Sequence, residues 1–301
     1  MSDLPQVRIV ATTGSTNDDA RELARAGAPQ GTAVAARAQS GGRGRRGHAW
    51  ASPEGGLYLS VVLRPGVGPQ HFVGLPAVCA LGALRAVREV TGLGARVGIK
   101  WPNDLVIDNR KLAGLLVEAG AGEGGPFAVL GIGINLARPG EIARASGPAG
   151  SDNAQGIGTP GIDSAAPDVS SAGVCQVPQA ADSPRALAPA YLSDELPVGE
   201  LPSFEGLAAP VRDRVVEACD AWAADVRAGR AKAGPLAPIL SEYFDCVPML
   251  GRQVVALSPE GAEICRGAFV AVDVWGRVTI HTADGRDVVL AAEQASLRSL
   301  E

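Results

Sequence analysis

Apolar and polar positions change rhythm several times along this chain, and each change marks an element. Residues 7–11 (Val-Arg-Ile-Val-Ala) read as a first strand. Ser15 and Thr16 then stand before Asn17-Asp18-Asp19, a helix start with Ser15 or Thr16 as cap and acids in the first turn. Ala20, Leu23 and Ala24 give this helix an apolar face, and Gly27 ends it. Residues 32–39 form a short strand that feeds a glycine-rich loop. Residues 57–63 (Leu-Tyr-Leu-Ser-Val-Val-Leu) form another, closed by Arg64-Pro65-Gly66. Residues 76–90 carry Leu81, Leu84 and Val87 at helical spacing, which predicts a helix with a core-facing stripe. Residues 97–100, 105–107, 115–118 and 127–134 predict four more strands.

From about residue 138 to 200 the rhythm disappears. Pro, Ala, Gly and Ser dominate, and no aromatic occurs before Tyr191. Such a stretch buries too little apolar area to offset its ordering entropy, so it predicts a disordered or loosely packed insertion, with room for a single turn or short helix near residues 183–191. Its removal across 147–190 is expected to leave the chemistry intact. A helical period returns at 207–226, with Val211, Val215, Cys219 and Trp222. After Gly251 the period becomes that of strands: 253–257, 262–272, 277–281 and 287–291, with Pro259-Glu260-Gly261, Trp275-Gly276 and Asp284-Gly285 as turns. The sequence therefore predicts an α+β fold in which a mixed sheet backed by helices occupies residues 1–247. A small C-terminal module follows at 248–301, SH3-like in size and strand count.

Composition narrows the class. The 301 residues are 46% hydrophobic and 20% charged, with a formal net charge of −5. That balance disfavours general nucleic-acid or anionic-membrane binding. No export signal or membrane-spanning run is visible, so a cytoplasmic protein is expected. The five cysteines are scattered without a C-x-x-C pair, which points to reduced thiols. The three histidines show no metal-ligand spacing, and no metal ligands are assigned.

Against that acidic background one segment stands out. No Asp or Glu occurs between Glu22 and Glu54, and this gap holds Gly41-Gly42-Arg43-Gly44-Arg45-Arg46-Gly47-His48-Ala49-Trp50. Interleaved Gly and Arg can wrap backbone N–H groups and guanidinium forks around an anion. About fifty residues on, Lys100-Trp101-Pro102-Asn103-Asp104 and Lys111-Leu112-Ala113-Gly114 supply two ammonium groups, an amide and a carboxylate. Gly131-Ile132-Gly133-Ile134-Asn135 completes the set.

These four ordered motifs, with Ser15-Thr16-Asn17 before them, resemble the biotin protein ligase family, the biotin–[acetyl-CoA carboxylase] ligases. The resemblance covers roughly residues 7–136 and the C-terminal module. It implies a class II synthetase-like catalytic domain. It also implies the monofunctional class, since the chain begins directly at the catalytic motifs without a DNA-binding segment. The implied reaction has two steps. Biotin and Mg·ATP give biotinyl-5′-AMP and pyrophosphate. A lysine of a biotin carboxyl carrier protein domain, part of a biotin-dependent carboxylase, then attacks the anhydride and releases AMP.

The resemblance assigns Arg43 and Arg45 to the adenylate loop and Lys111 to the biotin carboxyl and α-phosphate oxygens. Fixed cations there offset the charge that builds as a carboxylate meets a phosphate. Asp104 falls near the incoming amine, as a catalytic or orienting group. Ser15, Thr16, Asn17, Gln39, Gly42 and Gly114, with Arg43, Arg45 and Lys111, are implied for biotin. Trp50, Asn103 and Asn135, with Arg43, Arg45 and Lys111, are implied for ATP and the adenylate. The expected cofactors are ATP and Mg²⁺, and no nucleic acid or membrane partner is expected. One departure is His48, where many members have a further Arg. The loop at 41–47 is expected to be mobile until biotinyl-AMP orders it. The rival readings are a lipoate or octanoate ligase or transferase of the same fold, a nucleic-acid-binding regulator using the Arg loop, and a carrier-binding module without catalysis.

Overall fold

A computed structural model of the chain describes residues 4–139 and 187–300. Twelve strands and five helices are described. In chain order the first part runs β1 (Arg8–Thr13), α1 (Thr16–Arg25), β2 (Ala33–Gln39), β3 (Gly56–Leu63), α2 (Leu75–Thr91), β4 (Val97–Lys100), β5 (Asp104–Ile107), β6 (Arg110–Gly122) and β7 (Gly125–Asn135). After residue 187 come α3 (Leu192–Glu195), α4 (Phe204–Arg227), α5 (Leu240–Asp245), β8 (Gln253–Leu257), β9 (Glu263–Val272), β10 (Val278–Thr282), β11 (Asp287–Leu290) and β12 (Ser296–Ser299).

The first seven strands form one sheet in the order β1-β2-β3-β7-β6-β5-β4. β1 pairs parallel with β2 and the other pairs are antiparallel, so the sheet is mixed as the sequence predicts. Its two faces are covered differently. On one face α2 and α4 pack against each other and the sheet, burying Leu81, Leu84 and Val87 with Val211, Val215 and Trp222. On the other, the shorter α1 sets Ala20 and Ala24 against Val62, Phe127 and Val129. Because α1 covers only one end of this face, the small residues farther along β6 and β7 are left for the site.

Ser15 adopts the extended backbone of an N-cap but makes no side-chain cap hydrogen bond. The predicted cap is therefore a cap by backbone position alone. β6 and β7 run far beyond the short strands expected, because Gly120 and Gly122 let the hairpin continue to the Glu123-Gly124 turn.

The C-terminal module is a five-stranded antiparallel sheet, β11-β10-β9-β8-β12. Its fifth strand, Ser296–Ser299, was not anticipated, since four residues with one buried side chain carry almost no periodicity. The apolar cluster passes without a break across position 247/248, from Ile99, Trp101 and Tyr243 to Val254, Phe269 and Ile280. Trp101, after which the peptide to Pro102 is cis, donates from Nε1 to Gly276 O at 2.9 Å and ties the β4–β5 turn to this module.

Most of the expected insertion lies outside the described residues, but its described end corrects two expectations. Residues 187–200 are packed rather than loose: Ala190 and Leu192 are fully buried, and the buried Glu195 carboxylate accepts from Arg96 and Arg110. A cut across 147–190 would not spare the site either, because Lys111 N donates to Ala188 O and Ala190 N to Lys111 O, both at 2.8 Å.

Candidate active site

The site lies on the face of the sheet that α1 leaves open. Its floor is made by residues that have no side chain. A Cβ added at Gly131 would fall 2.1 Å from Asn17 Oδ1, one at Gly133 2.5 Å from Trp50 Nε1, and one at Gly114 2.9 Å from the Trp50 ring. These glycines sit side by side on β6 and β7, Gly114 opposite Gly133, because the antiparallel register puts them on one face. Their smallness lets polar and aromatic groups lie flat on the sheet.

At one end the groups are neutral and mutually satisfied. Thr16 donates to Gln39 Oε1 from its backbone N at 2.9 Å and its hydroxyl at 3.0 Å, and Gln39 Nε2 donates to Ser52 Oγ at 3.0 Å. Ser60 Oγ, fully buried, lies 2.8 Å from Thr16 Oγ1 and 2.6 Å from Asn17 Oδ1. Asn17 Nδ2 donates to Glu118 Oε2 at 2.7 Å. Ser15, Thr16 and Asn17 are all nearly inaccessible. The result is a small polar cradle whose hydroxyl and amide positions are fixed before any ligand arrives.

The glycine loop folds back on itself. Trp50 N donates to Gly42 O, Gly44 N donates to His48 O, and Arg43 bridges to Ala49, with Arg46 at φ 57° in the turn. The turn sends its arginines in opposite directions. Arg43 reaches back to α1 and grips both oxygens of Asp18 at 2.6 and 2.7 Å. That hydrogen-bonded pair holds the Asp18 carboxyl below the usual carboxylate range and raises Arg43. Arg45 and Arg46 reach the C-terminal module: Arg45 Nη2 donates to Ala292 O at 2.8 Å, and Arg46 Nη2 to Ala292 O at 2.6 Å and Ala295 O at 3.2 Å. Arg45 Nη1 also donates to Asn103 Oδ1 at 3.3 Å.

The other end is cationic. Lys111 Nζ is 2.8 Å from Asp104 Oδ1 and 4.9 Å from the centre of the Trp50 ring. Lys100, buried, sits across the same carboxylate, with Nζ 3.9 Å from Asp104 Oδ2. Burial lowers Lys100 to a pKa of about 8, opposed by Asp104 and aided by Arg298, Lys111 and Arg45. Desolvation likewise lowers Arg45 and Arg298, which still stay charged at any ordinary pH. The Trp50 indole N–H is buried without a hydrogen-bond acceptor among the described residues. Beside this end a cleft of about 750 Å³ opens between β6, α2 and the module, lined among others by Arg45, Asn103, Leu116, Trp275 and Glu293.

Residues 10–135 match the family described as the biotin/lipoate A/B protein ligase family. Through that segment the chain is similar to this family. It is 42% identical over 130 residues to a biotin–[acetyl-CoA-carboxylase] ligase of Paracoccus denitrificans, covering 43% of this chain and 54% of that one. It is 38% identical over 135 residues to the Mycobacterium tuberculosis enzyme of the same name, covering 44% and 49%. In these alignments the chain spans about half the length of the curated relatives. The fold is that of the Aquifex aeolicus biotin protein ligase solved with biotin and ATP, at TM-score 0.64 and 22% identity over 98% of this chain and 99% of that one.

Within this fold the nominated residues fall into three places. Ser15, Thr16, Asn17 and Gln39 share the cradle, and Gly42 lies beside it: a Cβ there would collide with Ser52 Oγ at 2.3 Å. Lys111, Asp104, Arg45, Asn103, Trp50 and Gly114 meet at the cationic end. Arg43 stands apart from them, on Asp18. Asn103 and Asn135 hold backbone: Asn103 Nδ2 donates to Leu115 O at 2.5 Å, and Asn135 Nδ2 to Lys111 O and Ala190 O at 3.1 Å. His48 is exposed on the loop. Sequence reasoning missed Ser60, Asp18, Glu118 and Arg298. Ser60 had a signal, as the one aliphatic hydroxyl in the apolar part of β3, and Glu118 another, two and four residues in strand period from Leu116 and Gly114. Arg298 had none, since it arrives from the far end of the chain.

Proposed function

We propose that this chain is an ATP-dependent biotin–protein ligase. It condenses biotin with Mg·ATP to biotinyl-5′-AMP and pyrophosphate, then passes biotin to a lysine of a carboxyl carrier domain in a biotin-dependent carboxylase. The observation that carries the reading is the polarity of the site. A neutral, pre-satisfied cradle of Thr16, Gln39, Ser60 and Asn17 suits a ureido ring, which offers donors and an acceptor but no charge. The Lys111, Arg45 and Lys100 end suits the carboxylate and α-phosphate that must be brought together. Trp50, flat on Gly114 and Gly133, supplies an aromatic face between the two.

In this reading Lys111 neutralises the oxygens between which the anhydride forms, Arg45 braces the phosphate from the module side, and Asp104 orients Lys111 and then the incoming amine. Among the described residues no group of three or more His, Cys, Asp or Glu could hold a metal. Mg²⁺ would enter with ATP and offset the charge of its phosphates. The division at 247/248, an SH3-like form for the C-terminal sheet and a cytoplasmic location belong to the same reading. Among the described residues no helix is long and apolar enough to cross a membrane.

The family description leaves a second reading, lipoate or octanoate as the acid. Cradle groups that exchange their mutual hydrogen bonds for a ureido ring would find no partner on a simple acyl chain, which therefore gains nothing there and is disfavoured. ATP–pyrophosphate exchange with biotin, lipoate or octanoate tests both. Exchange with biotin alone, lost in Lys111→Ala, is expected. Exchange with another acid overturns the substrate, and exchange with none overturns the reaction.

A further inference from the structure

The chain uses lysine sparingly. Of its 27 basic residues three are lysines, Lys100, Lys111 and Lys232. Two of the three flank one carboxylate in the site. Lys100 and Asp104 are register partners across the β4–β5 hairpin, and Asp104 and Gly114 are partners across β5 and β6, so the backbone itself sets the spacing. Asp104 is split between the two amines, Oδ1 to Lys111 at 2.8 Å and Oδ2 to Lys100 at 3.9 Å. Lys100 makes no closer polar contact among the described residues, and its side chain is 5% exposed.

A carboxylate facing one ammonium cancels it. A carboxylate shared by two leaves a net positive charge, and in a buried setting that charge acts at short range with little screening. We propose that Lys100 is a positioning residue that acts through Asp104, keeping the Lys111 ammonium only partly neutralised and aimed at the anion in the site. This rests on the adenylation reading above.

Arginine would serve if charge alone mattered, since it never releases its proton, and arginine supplies 24 of this chain's 27 basic residues. A buried amine can lose its proton. The groups that face Lys100 are Asp104 on β5, Lys111 on β6, Arg45 on the loop and Arg298 on β12, with Glu293 acting on Arg45. Burial, helped by the three cations among its four direct neighbours, makes Lys100 give up its proton at a pH where an ordinary lysine would not. Once it does, Asp104 pairs with Lys111 alone, and the site's hold on an anion weakens. A bound anion opposes this loss and moves it to higher pH.

The test is the pH profile of biotin-dependent ATP–pyrophosphate exchange, a step that needs no acceptor lysine, in the wild type, Lys100→Met and Lys100→Arg. The wild type is expected to lose rate on an alkaline limb beginning near or above pH 8. Lys100→Met should be at least tenfold slower at pH 7 and lack that limb. Lys100→Arg should stay within a few-fold of wild type at pH 7 and keep its rate through the limb. Ionisations of ATP and pyrophosphate are common to all three proteins and cancel in the comparison. If Lys100→Met does not fold, the Lys100→Arg profile decides.

A limb unchanged in the variants that fold overturns the inference while leaving the ligase reading intact. Absence of wild-type exchange overturns the ligase reading. The coupling itself is then read without activity, by NMR of the three lysine side chains in the full-length protein. The Lys111 resonance is expected to shift as Lys100 titrates and to lose that inflection in Lys100→Arg. A Lys111 signal indifferent to Lys100 overturns the coupling.

Discussion

The two ends of the site solve opposite problems. The cradle around Thr16, Gln39, Ser60 and Asn17 is neutral, and its donors and acceptors are paired with each other at 2.6–3.0 Å. The end around Lys100, Asp104, Lys111, Arg45 and Arg298 gathers four cations, and Asp104 alone among the described residues opposes them directly on Lys100. The cradle costs little to hold together and gains from geometric match. The cationic end is kept unfavourable on its own, so that an anion completes it. Recognition and chemistry are thereby separated along one sheet face, with Trp50 between them.

The largest effect belongs to the cationic end. Lys111→Ala removes the point charge nearest the reacting oxygens, and exchange should fall by about 10²–10³-fold, the usual cost of one fixed group that stabilises transition-state charge. The fall should appear in kcat more than in the KM for biotin. A mutant that loses biotin affinity instead would place the charge in recognition and erase the contrast between the ends.

Next comes stability against pH, measured by denaturant unfolding of wild type and Lys100→Met. Lys100 has a folded pKa of about 8 against an ordinary 10.5. Between those values the unfolded chain binds more protons than the native one, so stability rises with pH across the window. The burial penalty is fully present below about pH 8 and relieved above about 10.5. The shift corresponds to roughly 3 kcal/mol. The wild type should therefore gain on the mutant between pH 8 and 10.5, and parallel curves there would mean that Lys100 is solvated.

How far these ends were legible in the sequence follows from how local their signals are. Lys111, Arg45 and Trp50 stand in short motifs where charge, glycine and aromatic spacing coincide, and they do converge. The mixed sheet was legible because strands of 4–8 residues alternate or run apolar. Ser60 and Glu118 escaped because a single polar residue inside a strand shows its purpose only when the neighbouring strands are known. Asp18 looked like an ordinary first-turn acid, and nothing in the sequence says that Arg43 would fold back onto it. The Ala292 and Ala295 carbonyls lie about 250 residues from the arginines that donate to them, and Arg298 about 200 from Lys100, beyond the reach of any periodicity. Residues 187–200 were read as loose from composition, yet Glu195 alone anchors them by two arginines.

A smaller effect sharpens the neutral end. Gly131→Ala drives a methyl into Asn17 Oδ1, 2.1 Å from where the Cβ must sit. Asn17 must turn away, breaking its contacts with Ser60 and Glu118. The KM for biotin should rise by about 10–100-fold, the cost of one or two unpaired buried polar groups, with kcat nearly unchanged. A loss of kcat of the same size would show that the cradle also aims the carboxylate.

The smallest expected effect decides to which end Arg43 belongs. Its guanidinium is divided from the cationic cluster and bound by Asp18, with Glu118 3.9 Å away. Both partners are about 40% exposed, 36% and 45%, so the pair contributes at most about 1 kcal/mol. An arriving phosphate can draw Arg43 off at that cost. Asp18→Asn should therefore slow biotinyl-AMP dissociation by up to about fivefold, leave exchange with biotin near wild type, and make loop 41–47 easier to cleave in the empty protein. A tenfold or greater loss of activity would mean the reverse. Asp18 would then be holding Arg43 in its working position, and the charged end would extend across the whole sheet face into the cradle.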